Sequence, residues 1–184
     1  MKTIAFSIPI FKYKVQNWST KKKQLLDLFN NLDHRVVVNV ITSPIDIKTN
    51  ILMEEVKLFE KDIGFNLTST QVWFQKYENN MDHTVHNHGP MGFSSVCFIE
   101  YSKIFHKPTT FVSPFGNYIT GELERYEPDV EEGDIIFFPS NLLHYAPTNL
   151  SKLTRTIMSF NLIINNNSFN LNINNNHNKI ISYN

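Results

Sequence analysis

Apolar positions fall into two regimes along the chain. In the first third they recur at helical spacing: "STKKKQLLDLFNNL" (19–32) places Leu25, Leu26, Leu28, Phe29 and Leu32 on one face behind a Ser/Thr cap. A second helix is predicted in "TNILMEEVKLFEKDIGF" (49–65), with Ile51, Leu52, Val56, Leu58 and Phe59 as its apolar side and Gly64 as its stop. The amino-terminal "MKTIAFSIPIF" is apolar, but Pro9, Lys12 and Lys14 interrupt it and no small-residue cleavage site follows, so it reads as a strand and not a signal peptide. From about residue 68 the apolar residues come in short runs rich in Val, Ile, Phe, Tyr and Thr: "TQVWFQKY", "FSSVCFIEYS", "TTFVSP", "GDIIFFPS" and "LTRTIMSFNLII". Gly, Pro and Asn turns separate them. This is the spacing of a β sandwich or barrel, with the two helices packed outside it.

A length of 184 residues suits one domain. We assign it to 1–165, with helical support over 15–65 and a β core over 68–165; the remainder, 166–184, is an asparagine-rich tail of low complexity that contains His177. The net charge of zero provides no electrostatic attraction to nucleic acid or acidic lipid. No run of about 18 apolar residues occurs, so no membrane-spanning helix is expected. Cys97 is the single cysteine, which rules out an internal disulfide and makes a cytoplasmic location the default expectation.

Candidate chemistry concentrates in "HTVHNHGPMG" (83–92), where His83, His86 and His88 lie within six residues. On an extended segment the two-residue period directs His86 and His88 to one face, where one metal ion could accept both nitrogens; His83, at odd spacing from His86, falls on the other face. A third ligand is available in His144, set among hydrophobic neighbours in "LLHYAP". Asp82 is an alternative to His88. Arg155 stands inside the apolar strand "LTRTIMSFNLII" with no acidic residue near it, and a guanidinium that cannot lose its charge calls for an anionic partner. Taken singly, the loop histidines could be solvent-exposed, His144 an ordinary core histidine, and Arg155 paired with Glu122 or Glu124. Their conjunction in one β domain favours a metal site.

At these residues the chain resembles the 2-oxoglutarate and iron(II)-dependent oxygenases, in particular the small prolyl-hydroxylase-like group of bacterial and phage type. The corresponding stretches are "VWFQKYENN" from Val72, "HNHG" from His86, "SSVCFIEY" from Ser94, "EEGDIIFFPSNLLH" from Glu131 and "RTIMSFN" from Arg155. The resemblance implies a double-stranded β-helix, or jelly roll, with supporting helices. It implies His86, His88 and His144 as iron ligands, His88 standing where an aspartate is usual, and Arg155 as the binder of the distal carboxylate of 2-oxoglutarate. Ile157 and Phe98 replace a hydroxyl and a tyrosine of the pattern, which leaves Tyr77, Thr109 and Ser159 as candidates to complete the carboxylate site. The activity implied is hydroxylation of an unidentified substrate, a prolyl or other amino-acid residue or a small molecule, with dioxygen as co-substrate and release of succinate and carbon dioxide. The loop-like segment 113–129 is expected to shape substrate choice, and a homodimer is compatible with the fold. Two other readings share these residues: a three-histidine cupin-type thiol dioxygenase, and a non-enzymatic jelly-roll binding module.

Overall fold

The two-residue alternation within the apolar runs decides the architecture, because it supplies each strand with two different faces. A computed structural model describes residues 7–31 and 51–165. Leu32, Thr49, Asn50 and the tail with His177 lie outside the described residues. The elements are β1 (Phe11–Lys14), α1 (Trp18–Asn30), α2 (Met53–Ile63), β2 (Leu67–Tyr77), β3 (His83–His86), β4 (Phe93–Glu100), β5 (Thr110–Gly116), β6 (Leu123–Tyr126), β7 (Asp134–Pro139), β8 (His144–Ala146) and β9 (Arg155–Ile164). They form a five-stranded sheet in the order β1-β7-β4-β9-β2 and a four-stranded sheet in the order β3-β8-β5-β6. All the pairings are antiparallel.

The larger sheet is covered on both sides, which explains why β4, β7 and β9 read as nearly continuous apolar runs. On one face Cys97, Ile99, Ile135, Phe137, Met158, Phe160 and Leu162 pack against Leu25 and Phe29 of α1 and Val56 and Phe59 of α2. Phe59 is central here, stacked on Phe137 at 4.4 Å and edge-on to Phe93 at 5.0 Å. The opposite face sends Tyr77, Val96, Phe98, Ile136, Phe138 and Ile157 toward Phe111 and Ala146 of the smaller sheet. Helices outside and a sandwich core inside are what the residue pattern predicts.

Local details differ from the sequence reading. α1 starts one residue before Ser19, with Asn17 at its N-cap in a left-handed conformation and making no side-chain cap bond; Ser19 and Thr20 lie inside the first turn. The Asn17 carbonyl accepts from the Thr20 and Lys21 amides, so the backbone does what a Ser/Thr cap was expected to do. Gly64 ends α2 at φ 75° as expected, but Leu58 is exposed while Glu55 is buried, accepting both Lys21 Nζ and the Gln16 amide. Among the described residues, strand structure at the amino-terminus begins at Phe11, residues 7–10 lying outside any strand. The segment 113–129 is not simply a loop: β5 continues to Gly116 and β6 returns from Leu123. Asn117 builds the turn between them, its side-chain oxygen accepting from the Ile119 and Thr120 amides.

Candidate active site

Antiparallel pairing of β3 with β8 puts His86 directly opposite His144. His88, two residues past the end of β3, is drawn to the same place by its backbone amide, which donates to the Ser140 carbonyl at 2.8 Å. One ligand atom from each of His86, His88 and His144 can therefore be chosen so that all three lie within 4.8 Å of one another. Nε2 of His88 faces Nε2 of His144 at 3.2 Å. Two imidazole nitrogens at right angles around one ion, with bonds of about 2.1 Å, would sit about 3 Å apart.

Tautomers agree with ligation. The His144 Nδ1–H donates to the Leu142 carbonyl at 2.9 Å and that of His86 to the Thr84 carbonyl at 2.7 Å, which leaves Nε2 of each ring as the lone-pair nitrogen. Burial, reinforced by the neighbouring imidazoles, pushes His144 down to about 3 and His88 down to about 4, so both are neutral at pH 7, the form that binds a metal. Phe138 and Phe111 wall the His144 ring at 4.8 and 5.9 Å, and the half-buried Trp73 lies 5.1 Å from His88.

Asp82 does not belong to the three-histidine group: its carboxylate accepts from Thr148 Oγ1. His83 corrects the strand-parity argument. Between His83 and His86 the β3–β8 register shifts, three steps on β3 matching two on β8, and this bulge returns His83 to the face of His86. The two rings stack at 4.2 Å, and Gln75 Nε2 lies 2.5 Å from His83 Nδ1.

Arg155 opens β9 at 2% exposure. Its Nη1 donates to the Lys107 carbonyl at 2.6 Å and its Nη2 to the Pro147 carbonyl at 3.2 Å, while its Cζ lies 4.2 Å from the centre of the Tyr77 ring. Its Nε is buried and without a partner, and no carboxylate among the described residues pairs with it. Glu122 and Glu124 are exposed on the β5–β6 hairpin. Tyr77 thus meets Arg155 through its ring face. Ser159 is buried on the same face of β9 as Arg155, opposite Trp73, and Thr109 is buried two residues beyond Lys107. Phe98 and Ile157 fill the sandwich core. Along β2, Trp73 beside His88 and Tyr77 beneath Arg155 are four residues apart, about 13 Å of strand. The imidazole cluster and the guanidinium therefore meet β2 at two stations along one side.

Residues 71–161 match the model of the family described as "Putative 2OG-Fe(II) oxygenase". The chain belongs to this family of 2-oxoglutarate and iron(II) oxygenases. No curated protein matches the sequence of this oxygenase. Its fold is similar to that of the non-heme alpha-ketoglutarate-dependent epimerase SnoN from nogalamycin biosynthesis, with 14% identity, coverage of 84% of this chain and 77% of that one, and a TM-score of 0.63. It is similar to an oxidoreductase of the 2OG-Fe(II) oxygenase family from Burkholderia pseudomallei, with 13% identity, 84% of each chain covered and a TM-score of 0.63. A prolyl-4-hydroxylase from Pseudomonas putida aligns at 9% identity over 85% of this chain and 89% of that one, with a TM-score of 0.56. These likenesses identify the two-sheet sandwich of the oxygenase as the double-stranded β-helix of its family.

Sequence reasoning did not single out Gln75 or the Lys107, Pro147 and Ser140 carbonyls. Gln75 shares the Trp73–Tyr77 face by alternation and could have been found that way. Backbone acceptors have no sequence signature.

Proposed function

We propose that the oxygenase hydroxylates a small-molecule or amino-acid-residue substrate, using iron(II) held by His86, His88 and His144 and 2-oxoglutarate anchored by Arg155. The observation that carries this reading is the buried Arg155 guanidinium, lacking any carboxylate partner among the described residues, on the sandwich-facing side of the larger sheet against which His88 of the three-histidine group also packs through Trp73. A dicarboxylate chelating a metal at one end and ending in a second carboxylate would satisfy both stations. The residues fit the group chemically: three imidazoles leave further coordination positions on iron(II), and a planar charged fork matches a carboxylate. Iron(II) with 2-oxoglutarate and dioxygen supplies, when bound, the oxidising power that hydroxylates a C–H bond while the oxo-acid becomes succinate and carbon dioxide.

The protein's own part is positioning and exclusion. Backbone carbonyls hold His86 and His144 in the ligating tautomer, and those of Lys107 and Pro147, with the Tyr77 ring, aim the guanidinium. Phe111 and Phe138 keep water from the His144 side. Thr109 and Ser159 are our candidates for additional carboxylate contacts. The β5–β6 hairpin, with Phe115, Tyr118 and Tyr126 exposed, is the segment we assign to substrate choice.

An anaerobic titration with iron(II) and then 2-oxoglutarate tests the proposal. A weak visible charge-transfer band should appear with the wild type and weaken in Arg155→Ala. Iron binding with no band would favour the thiol-dioxygenase reading of the same three histidines.

A further inference from the structure

His88 differs from the other two imidazoles of the cluster, whose rings are each fixed by a backbone carbonyl through Nδ1. Its attachment is through the main chain. The loop that carries it is fastened to Ser140 twice, the His88 amide donating to the Ser140 carbonyl and the Ser140 amide to the Gly92 carbonyl at 3.0 Å. Gly92 also lets the loop lie close against β9: its φ is 88°, and a Cβ there would lie 2.3 Å from the Leu162 carbonyl oxygen.

Ser140 is in turn held by a buried chain of polar groups. Its Oγ is 2.9 Å from Ser94 Oγ, Ser94 Oγ donates to Asn161 Oδ1 at 2.8 Å, and Asn161 Nδ2 donates to Gln71 Oε1 at 3.1 Å. The direction is forced. Ser94 has one hydroxyl proton and commits it to an amide oxygen that can only accept, so the Ser140 hydroxyl must donate to Ser94. Ser94 is fully buried, and Ser140 and Asn161 are 2% and 8% exposed, so each lost link would strand a polar group away from water. Purely structural needs of the sandwich would be met by apolar residues at these sites, as they are at Val96 and Ile157 on the same faces.

We infer that Ser94 and Asn161 are positioning residues for the metal site, acting through Ser140 to set where His88 presents its ring. The inference rests on the three-histidine reading above. Outer partners of this kind typically change metal affinity by about 10- to 100-fold.

The experiment is anaerobic titration with iron(II) alone of wild type, Ser94→Ala, His88→Ala and the double variant, with Asn161→Leu as a second break in the chain. Thermal melting of each metal-free protein serves as the folding control. Ser94→Ala and Asn161→Leu should each raise the iron(II) Kd about tenfold or more in the wild-type background, and Ser94→Ala should raise it by less than twofold when His88 is absent. Unchanged affinity in the single variants, or an equal loss with and without His88, overturns the inference while leaving the three-histidine site standing. Equal iron(II) affinity of wild type and His88→Ala overturns the three-histidine reading, and the inference with it.

Discussion

Replacing Arg155 by methionine separates stability from ligand binding. In the folded protein the guanidinium is desolvated, a cost of several kcal/mol for a buried ion. Against it stand two hydrogen bonds to carbonyls, about 1.5–3 kcal/mol each for a charged donor, and a desolvated contact with Tyr77 of about 2 kcal/mol. The terms nearly cancel, so methionine, which removes the charge and strands two carbonyl acceptors, should change the unfolding free energy of the metal-free protein by no more than about 2 kcal/mol in either direction. Affinity for 2-oxoglutarate should respond very differently. Leaving its distal carboxylate buried without a counter-charge costs about 3–5 kcal/mol, or roughly a hundred- to a few-thousandfold in Kd. Urea unfolding of the metal-free protein gives the first quantity, and anaerobic 2-oxoglutarate titration of the iron(II)-loaded protein gives the second. A stability loss well above 3 kcal/mol together with a 2-oxoglutarate Kd within threefold of wild type would show that Arg155 is a structural cation, and the reasoning would fail.

Other expectations follow from the same geometry. His144→Ala should abolish iron(II) binding and turnover while the fold persists, checked by metal analysis and circular dichroism; retained full activity would sink the assignment. Phe59→Ala, which removes a fully buried ring stacked on Phe137, should cost about 3–5 kcal/mol in urea unfolding. Burial holds the pKa of His106 below the ordinary histidine range, and its Nδ1 accepts the Ser102 amide, so the folded state keeps it neutral. The unfolded chain then takes up the proton first as pH falls below about 6.5, and stability declines with falling pH. Between pH 7 and 5 the slope of unfolding free energy against pH should be shallower in His106→Gln than in wild type, and parallel slopes would exclude His106 as a contributor.

The parts of this oxygenase that could be read from sequence are those encoded by residues close together in the chain. Strands β2, β4, β5, β7 and β9 were visible as β-branched and aromatic runs, α2 as an apolar stripe ending at Gly64, and His86, His88, His144 and Arg155 as chemistry out of keeping with its surroundings. What escaped depends on partners distant in sequence. The side on which His83 falls is decided by a bulge against β8, and a bulge cannot be seen in one strand alone. Leu58 and Glu55 exchange their expected burial because Lys21 of α1 provides a charge for Glu55 to meet. The β6 strand was hidden because its residues, all exposed, carry no burial pattern, and only the Asn117 turn reveals that the chain doubles back. Ser94, Ser140 and Asn161 come from β4, the end of β7 and β9, and nothing in their local sequence announces that they meet.

Strand β9 works like a sentence read in alternate letters. Arg155, Ile157, Ser159 and Asn161 spell the interior of the sandwich, while Met158, Phe160 and Leu162 spell the seat of the helices. Substitutions at Arg155 and Ser159 therefore act on the face that carries the proposed carboxylate site, and those at even positions act on the packing against the helices. A one-residue insertion or deletion within the strand acts on both at once. It would exchange the two messages, pressing the guanidinium against the helices and phenylalanine into the interior of the sandwich. Across descendants of this sequence, length variation should accordingly collect in the β5–β6 turn and spare β9.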